Sequence, residues 1–463
     1  MKDKISPRSG ILDCKQGSAT FYEENYNFRI MNNTPFQSSA NANFFAKVEA
    51  ENKYIHGVTH DGKLIAIYIG DSSVPTIETF SNFHTNLYAV QDHASCVPNW
   101  DQIDAIKFRD GIINQLFRFH QTPYEIVGDK IKESPPKPSY PFVIRHKGSD
   151  ITISIGEAVR KISSPTDISI SGKNGYIDLQ FSTPISFSDV PFHIDKIKTL
   201  LSFLTFRSNV DFDEIILQKK LPPYGTLWDS AHVYSEELST PTQKDESNNI
   251  CFEELDHTLS PLMELIYNEA KNNPFTFMSF IPESDKNLDH MTNSMVKNIV
   301  TCTECEIARL RKDDVTLVKS DDKSDTYLAE EKFLASLKKE LLSTIKTYEK
   351  TQHKFSKKTN DMLCGSIKHM TLADADKIHL IYPKYQNLLC SLFDEFDIPP
   401  TIEDIEQLMI YRNRTTHGIQ EVLDSRIATT ARYLVGLIYC MILHSIGIDD
   451  NDLQKLCEKH FLY

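Results

Sequence analysis

The 463-residue sequence predicts an α+β multidomain protein, with a mainly β N-terminal domain that contains a few helices, followed by an all-α helical-bundle domain. Two observations predict this class. Before residue 287, short runs rich in β-branched and aromatic residues alternate with turn signals, as in sheets. After residue 287, apolar residues recur three and four apart, as in packed helices. We therefore expect a β-rich domain over residues 1–286, as one unit or two subdomains, and a helical domain over residues 287–463.

The strand pattern is clearest in seven stretches of the N-terminal half, at 44–50, 53–58, 63–70, 141–146, 150–156, 176–181 and 213–218. Asp61-Gly62 separates the second stretch from the third and predicts a hairpin turn. Two helices are expected within this half, at 193–206 and 257–270, because their apolar residues lie three and four apart. The polar or Pro-rich stretches 133–141 and 235–249 are predicted to be loops.

Six helices are predicted in the C-terminal half, at 290–312, 325–355, 361–371, 374–394, 401–417 and 421–446. The helix at 401–417 has the clearest start. Pro399-Pro400 requires extended backbone before it, Thr401 can cap it, and Glu403 and Asp404 suit its positive end. In the helix at 325–355, a stripe of apolar residues at helical spacing is predicted to be buried, namely Leu334, Leu337, Leu341, Ile345 and Tyr348.

Composition places the chain among folded globular proteins, with 40% apolar and 25% charged residues. The formal net charge of −14 argues against a protein that coats nucleic acid nonspecifically. The N-terminal MKDKISPRSG has no apolar core of a secretory signal, so we expect a cytoplasmic protein. The most apolar run, at 433–448, is short for a bilayer span and predicts a core helix and no membrane association.

Nine cysteines are scattered along the chain without a framework spacing, and we expect reduced thiols. Cys302 and Cys305 form one CxxC, but no second pair with zinc spacing accompanies it, so no metal or cofactor is expected. The sequence also lacks the usual nucleophile-elbow, phosphate-loop and zinc-protease motifs. His56 and His60 flank a predicted turn and are interpreted as surface histidines.

The segment from Arg412 to His417, with Asn413 and Arg414 between them, ends the predicted helix at 401–417. Arg412 follows the apolar Leu408 by four residues, so its stem should lie at the edge of the packed stripe. Arg412 and His417 are five apart, which corresponds to about 140° around a helix axis. One ideal helix therefore does not aim both at one phosphate. Either the helix distorts near Gly418, or a second copy of the domain contributes across a two-fold axis.

The residue types in this segment suit RNA cleavage without a metal. A 2′-hydroxyl attacks the adjacent phosphate, His417 moves a proton, and Arg412 stabilises charge on the phosphoryl oxygens. Asn413 orients either Arg412 or His417. The alternative is a polar helix end that faces water, and the spacing alone does not distinguish the two.

A run of lysines offers a candidate RNA-binding surface in this acidic protein, with Lys346, Lys350, Lys354 and Lys358 four apart. Such a ladder suits a phosphate backbone, and Arg414 would add a further positive charge near the motif. The alternative is a solvated lysine face without a ligand.

The segment Arg412-Asn413-Arg414-Thr415-Thr416-His417 resembles the signature of the HEPN domain, a helical ribonuclease family. The helical run IEDIEQLMIY precedes it and the long apolar helix LDSRIATTARYLVGLIYCMILHSIGI follows it, as in that family. In IVTCTECEIARL, Glu304 matches a glutamate that family members often carry on an upstream helix. YIHGVTHDGKLIAIY (54–68) and VPFHIDKIKTLLSFLTFRSN (190–209) resemble N-terminal segments of the ApeA group of bacterial anti-phage proteins.

This resemblance implies an abortive-infection ribonuclease that works as a homodimer through its HEPN domain. The N-terminal domain would sense a phage-derived trigger, and the HEPN domain would cut cellular RNA, with tRNA as one candidate. Arg412, His417 and Asn413 would be catalytic and Glu304 would support them. The hypothesis that competes with this one is a noncatalytic HEPN module that binds RNA or dimerises under control of the N-terminal domain.

Overall fold

The computed structural model of the chain describes residues 8–14, 17–32, 53–70, 76–77, 80–91, 100–109, 111–117, 124–127, 130–133, 139–163, 168–220, 228–236, 249–268, 280–283, 291–312, 322–351, 356–368, 378, 381–390, 399–416 and 422–460. Within them the fold is α+β, as predicted: a large antiparallel sheet forms in the N-terminal part and helices form in the C-terminal part.

The sheet contains 14 of the described strands, and each neighbouring pair is antiparallel. Its order is β12-β13-β14-β9-β15-β16-β8-β5-β4-β1-β2-β3-β7-β6, and β10 and β11 pair separately. The strands are β1 Arg8–Cys14, β2 Gly17–Glu24, β3 Asn27–Asn32, β4 Tyr54–Thr59, β5 Leu64–Tyr68, β6 Thr76–Ile77, β7 Phe80–His84, β8 Leu87–Gln91, β9 Ile103–Arg109, β10 Tyr124–Val127, β11 Lys130–Glu133, β12 Tyr140–His146, β13 Ser149–Ser163, β14 Ile168–Ile185, β15 Glu214–Lys220 and β16 Trp228–Ser235.

Six of the seven predicted strands are confirmed, and the seventh, at 44–50, lies outside the described residues. The hairpin between β4 and β5 turns at Asp61-Gly62 as predicted, and Gly62 has the positive φ of 82° that this turn requires. The predicted loop at 133–141 is partly wrong, because Glu133 ends β11 and Tyr140 begins β12.

The N-terminal part of the sheet curls around its own core. Phe28 on β3 and Tyr88 on β8 have ring centroids 5.6 Å apart, although four strands separate β3 from β8 in the sheet order. Strands at this separation can meet only if the sheet bends strongly, because neighbouring strands are about 4.8 Å apart. The buried residues of this core include Leu12, Phe21 and Ile67.

Two predicted helices of the N-terminal half are confirmed with shifted ends. Helix α1 (Val190–Thr205) has Pro191 in its first turn. Helix α3 (Leu259–Tyr267) occupies the second region, and the short helix α2 (Phe252–Leu255) precedes it. On α1 the buried His193 contacts the Tyr267 hydroxyl at 3.1 Å, and burial lowers the pKa of His193 to about 3. It is therefore a neutral core histidine.

The C-terminal half contains seven further described helices: α4 Asn293–Lys312, α5 Asp322–Thr351, α6 Lys357–Lys368, α7 Tyr382–Cys390, α8 Ile402–Thr416, α9 Ser425–Ser445 and α10 Asp450–His460. Six of them correspond to predicted helices. The prediction missed α10, whose few apolar residues give a weak periodic signal. Leu453 and Cys457 are nevertheless buried.

Helix α9 is the central helix of this half and packs against α4, α7, α8 and α10. The helix begins at Ser425, so it is longer than the apolar run in the sequence suggested, and by length and composition it could cross a membrane. However, 72% of its apolar window is buried inside the fold. Its burial fits a core helix, as predicted.

Helix α5 differs from its prediction. None of its described side chains is buried: Leu334, Leu337, Leu341 and Ile345 are partly exposed, and Tyr348 is 44% exposed. The main described partner of α5 is α6, and one neighbouring helix covers only part of an apolar stripe.

The chain divides into two compact units, one of Met1–Tyr267 with Glu283–Asp285 and the other of Asn268–Pro282 with Lys286–Tyr463. We call them the sheet unit and the helical unit. The domain boundary at residues 286/287 remains a prediction.

Candidate functional site

Arg412 lies on α8, at the edge of the stripe that packs this helix into the helical unit. Ile405, Leu408, Met409 and Tyr411 are buried. The Arg412 side chain is 16% exposed, because its stem continues the stripe that Leu408 begins one turn earlier. This placement was predicted from the spacing.

The guanidinium of Arg412 forms an ion pair with the carboxylate of Glu304 on α4, through Nη2 and Oε1. Glu304 is 21% exposed, so both charged groups are largely removed from water. The structure therefore brings together two residues that are 108 positions apart in the sequence and that were both singled out from it.

Burial lowers the pKa of Arg412 from its ordinary value. The group nevertheless stays charged, because a guanidinium starts from a very high pKa and the adjacent carboxylate favours the cation. The Nε–H of Arg412 is buried and has no hydrogen-bond acceptor among the residues that the structure describes. A guanidinium that keeps its charge is the type of group that binds an anionic oxygen.

The residues next to Arg412 fix the end of α8. The Tyr411 hydroxyl donates a hydrogen bond to Asn293 Oδ1 at the start of α4, at 2.7 Å. The Thr415 hydroxyl donates to the carbonyl of Arg412 at 3.0 Å. Asn413 and Arg414 are exposed. Asn413 is therefore accessible to a substrate, although it does not share the packed position of Arg412.

The start of α8 is held as the sequence predicted and by one further contact. The Thr401 backbone N–H donates to Asp404 Oδ2 at 2.7 Å, and the Asp404 N–H donates to the Thr401 hydroxyl at 3.4 Å. These reciprocal bonds form a capping box. Arg426 on α9 donates from Nε to Asp404 Oδ1 at 2.9 Å. Helices α8 and α9 are thus joined near their N-terminal ends.

His417 and Gly418 lie outside the described residues, and α8 ends at Thr416. The predicted pairing of Arg412 with His417 at one site therefore remains a prediction.

The predicted lysine ladder is wrong as a single helical face. Helix α5 ends at Thr351, so Lys358 belongs to the next helix, α6. Lys354 lies outside the described residues. Lys346 and Lys350 are exposed on α5.

The cysteine pair on α4 has the environment of structural thiols. Cys302 is buried and Cys305 is half-buried, and burial raises the pKa of both thiols. Among the described residues, no group of three His, Cys, Asp or Glu side chains could hold a metal ion. His56 is exposed, and the ring of His60 bonds to the Ser9 hydroxyl at 3.0 Å at the surface, as predicted for both histidines.

Two structural partners of the site were missed in the sequence. Asn293 anchors Tyr411, and Arg426 anchors Asp404. Tyr411 precedes Arg412 and is the only polar-tipped residue on the buried stripe, which was a signal that a partner should exist. No local pattern identifies Asn293 or Arg426, because each belongs to another helix.

Comparison of this chain with family models, with curated proteins and with solved structures gives no match.

Proposed function

We propose that this protein is a metal-independent endoribonuclease of the HEPN type that cuts cellular RNA. The observation that carries the proposal is the Arg412 guanidinium on α8, which Glu304 on α4 holds in place and which keeps a buried N–H donor without a described acceptor. A fixed cation is what a phosphoryl group that gains negative charge requires. The likeness of the segment from Arg412 to His417 to the HEPN signature supports the same reaction.

The reaction consists of one displacement at phosphorus. A base removes the proton of the 2′-hydroxyl, the 2′-oxygen bonds to phosphorus, and the bond from phosphorus to the 5′-oxygen breaks. An acid then gives a proton to the 5′-oxygen. The products are a 2′,3′-cyclic phosphate and a 5′-hydroxyl. We assign the proton transfers to His417, the stabilisation of the phosphoryl oxygens to Arg412 and the positioning of Arg412 to Glu304. Asn413 orients Arg412 or His417.

A homodimer would supply the two proton-transfer groups that this reaction needs. Arg412 and His417 are about 140° apart on an ideal helix, so His417 from a second copy is better placed to complete the site of the first. In the cell we assign the activity to anti-phage abortive infection, with the sheet unit as the sensor that releases it.

Induced expression of the wild type and of the Arg412→Ala and His417→Ala variants tests the proposal. Sequencing RNA ends that carry a 2′,3′-cyclic phosphate reports activity, substrate and cleavage position together. We expect each variant to lower cleavage about 100-fold or more, because each removes one part of the chemistry. The exposed His56 supplies the control: His56→Ala should cut at the wild-type rate. Wild-type cleavage by either site variant would refute the assignment.

A noncatalytic RNA-binding module is favoured by one feature of the same site. The charge of Arg412 is neutralised by Glu304, and an ion pair that only joins α4 to α8 would have this arrangement. Purified protein that binds RNA and leaves it uncut, including in extracts of phage-infected cells, would support this second function.

A further inference from the structure

Helix α5 carries a stripe of lysines that the sequence ladder did not reveal. Lys332, Lys339, Lys346 and Lys350 are all exposed on this helix. At about 100° per residue they lie within about 40° of one another around the axis. From Lys332 to Lys350 the stripe extends about 27 Å along the helix, at about 1.5 Å per residue. We call these four residues the lysine stripe.

The face that holds the lysine stripe contains no described acidic side chain. The nearest ones on α5, Glu340 and Glu349, lie about 80° and about 60° around the axis from the closest lysine of the stripe. Ser336 and Ser343, both exposed, occupy positions between the lysines. Short hydroxyl side chains leave room for a chain to approach and can donate hydrogen bonds to it.

The stripe is a local feature and does not follow from the composition, since the whole chain has a formal net charge of −14. None of its four lysines forms an ion pair with a described residue. None of the described side chains of α5 is buried, so the stripe is accessible along its full length. A linear array of exposed cations is complementary to a polyanion with regularly spaced charges.

We propose that the lysine stripe binds the phosphate backbone of RNA. Successive phosphates of a stacked strand are about 3.4 Å apart along the axis, so the stripe is long enough to contact several of them. The four lysines make no contact that distinguishes one base from another, and the stripe therefore supplies affinity and leaves sequence preference to other residues. The choice of RNA as the polyanion rests on the proposed ribonuclease function. The location of the binding surface, the lysine stripe, is independent of that function.

The salt dependence of binding by the full-length protein tests this proposal. The probe is a fluorescein-labelled 2′-O-methyl RNA of about 20 nucleotides, which is longer than the about 8 phosphates that the stripe could span. The probe has no free 2′-hydroxyl, so cleavage does not enter the measurement. The test variant combines Lys332→Gln, Lys339→Gln, Lys346→Gln and Lys350→Gln.

The control variant combines Lys63→Gln, Lys220→Gln, Lys338→Gln and Lys455→Gln, which removes the same charge away from the stripe. Lys338 is a stringent member, because it lies on α5 about 80° or more around the axis from each lysine of the stripe and is only partly exposed. Far-UV circular dichroism of both variants shows that each is folded.

We expect the test variant to reduce the slope of log affinity against log salt by about 3, since each phosphate contact on a single strand contributes about 0.7. Between 50 and 200 mM salt, the wild type should then lose about 50-fold more affinity than the variant. The control variant should keep the wild-type slope.

The proposal is overturned if the test variant keeps the wild-type slope, if the control variant loses as much, or if the wild type does not bind the probe. The wild type and the test variant are also mixed with vesicles that contain phosphatidylserine. If the test variant loses binding to the vesicles and keeps the wild-type binding of RNA, the lysine stripe binds a membrane surface. Light scattering measures the molecular mass of the wild type and of the test variant. If the test variant differs from the wild type only in a lower molecular mass, the lysine stripe binds an acidic surface of a second copy of the chain. If the wild type binds the probe through the stripe and never cuts RNA, the ribonuclease assignment fails and this one holds.

Discussion

Glu304 and Glu306 are two residues apart on α4 and have different partners. Glu304 pairs with Arg412 of α8, whereas the buried Glu306 accepts a hydrogen bond of 2.9 Å from Arg309 on its own helix. Arg309 also donates to the Ser445 hydroxyl of α9 at 2.8 Å. Two positions on a helix differ by about 200° in direction, so neighbouring glutamates face different helices. Both glutamates are present in the sequence, and only the packing of the helices shows that Glu304 pairs with Arg412.

Removal of Glu304 should destabilise the protein through the charge that it leaves behind. Arg412 is 16% exposed, so Glu304→Ala leaves a largely buried guanidinium without its partner. We expect a loss of about 1–3 kcal/mol in the free energy of unfolding, measured by urea titration with circular dichroism at 222 nm. Arg412→Ala in the same background should restore part of this stability.

The double-mutant cycle distinguishes an ion pair from two independent residues. Glu330→Ala on α5 serves as the control because Glu330 is exposed, and it should change stability by less than about 0.5 kcal/mol. Strict additivity of Glu304→Ala and Arg412→Ala would show that the two side chains do not interact in solution.

Helix α8 is held in place by contacts within its own segment and by contacts with distant helices. Its start follows from the sequence, since Thr401 and Asp404 cap it as expected of this residue pattern. Its attachment to α9 depends on Arg426, which no local pattern on α8 identifies. Its C-terminal end is fixed by the bond of Tyr411 to Asn293 of α4. The capping box aligns the helix, and the two distant contacts orient the face that carries Arg412.

The ion pair at the start of α8 gives stability a specific dependence on pH. The hydrogen bond from Arg426 lowers the pKa of Asp404 to about 2. In the unfolded chain the pKa of an aspartate is about 3.9. Because the folded pKa is the lower one, Asp404 stabilises the fold above about pH 4 and loses this contribution as the pH falls through about 2.

The variant Asp404→Asn tests this dependence, since asparagine keeps a capping oxygen and removes the charge. We expect it to lower the free energy of unfolding at pH 7 by about 1 kcal/mol, discounted for the partial exposure of the pair. Urea titrations at decreasing pH should show the difference from wild type shrinking between pH 4 and pH 2. Asp452→Asn, at an exposed aspartate of α10, should have little effect. A difference that stays constant with pH would mean that the charge of Asp404 does not stabilise α8.

At the scale of the whole molecule, each of the two compact units buries apolar side chains of its own. Phe21, Ile67 and Tyr88 belong to the core of the sheet unit, and Leu437 and Ile438 of α9 are fully buried in the helical unit. The chain contains 2 tryptophans, and both Trp100 and Trp228 belong to the sheet unit. Tryptophan fluorescence therefore reports on the sheet unit, and circular dichroism at 222 nm reports mainly on the helices.

The substitution Leu437→Ala should separate the unfolding of the two units. It removes a fully buried side chain of α9 and should cost about 2–5 kcal/mol through lost burial and the cavity that remains. We expect the transition at 222 nm to move to lower urea, while the fluorescence transition keeps its wild-type midpoint. Ile410→Ala, on an exposed position of α8, is the control and should move neither transition by much. Equal shifts of both signals after Leu437→Ala would show that the units unfold as one.

Glu304 became a candidate through the family resemblance alone. The sequence by itself determined the division into a strand-rich part and a helical part, the hairpin at Asp61-Gly62, the capped start of α8 and the position of Arg412 at the edge of the packed stripe. These features depend on periodicity, turn chemistry and capping, which act between residues close in the chain. The tertiary structure alone decided the strand order, the curl of the sheet, the exposure of α5 with its lysine stripe, and the pairing of Glu304 with Arg412. Each of these depends on which faces of distant segments meet, and the residues next to a given position in the sequence do not specify that contact.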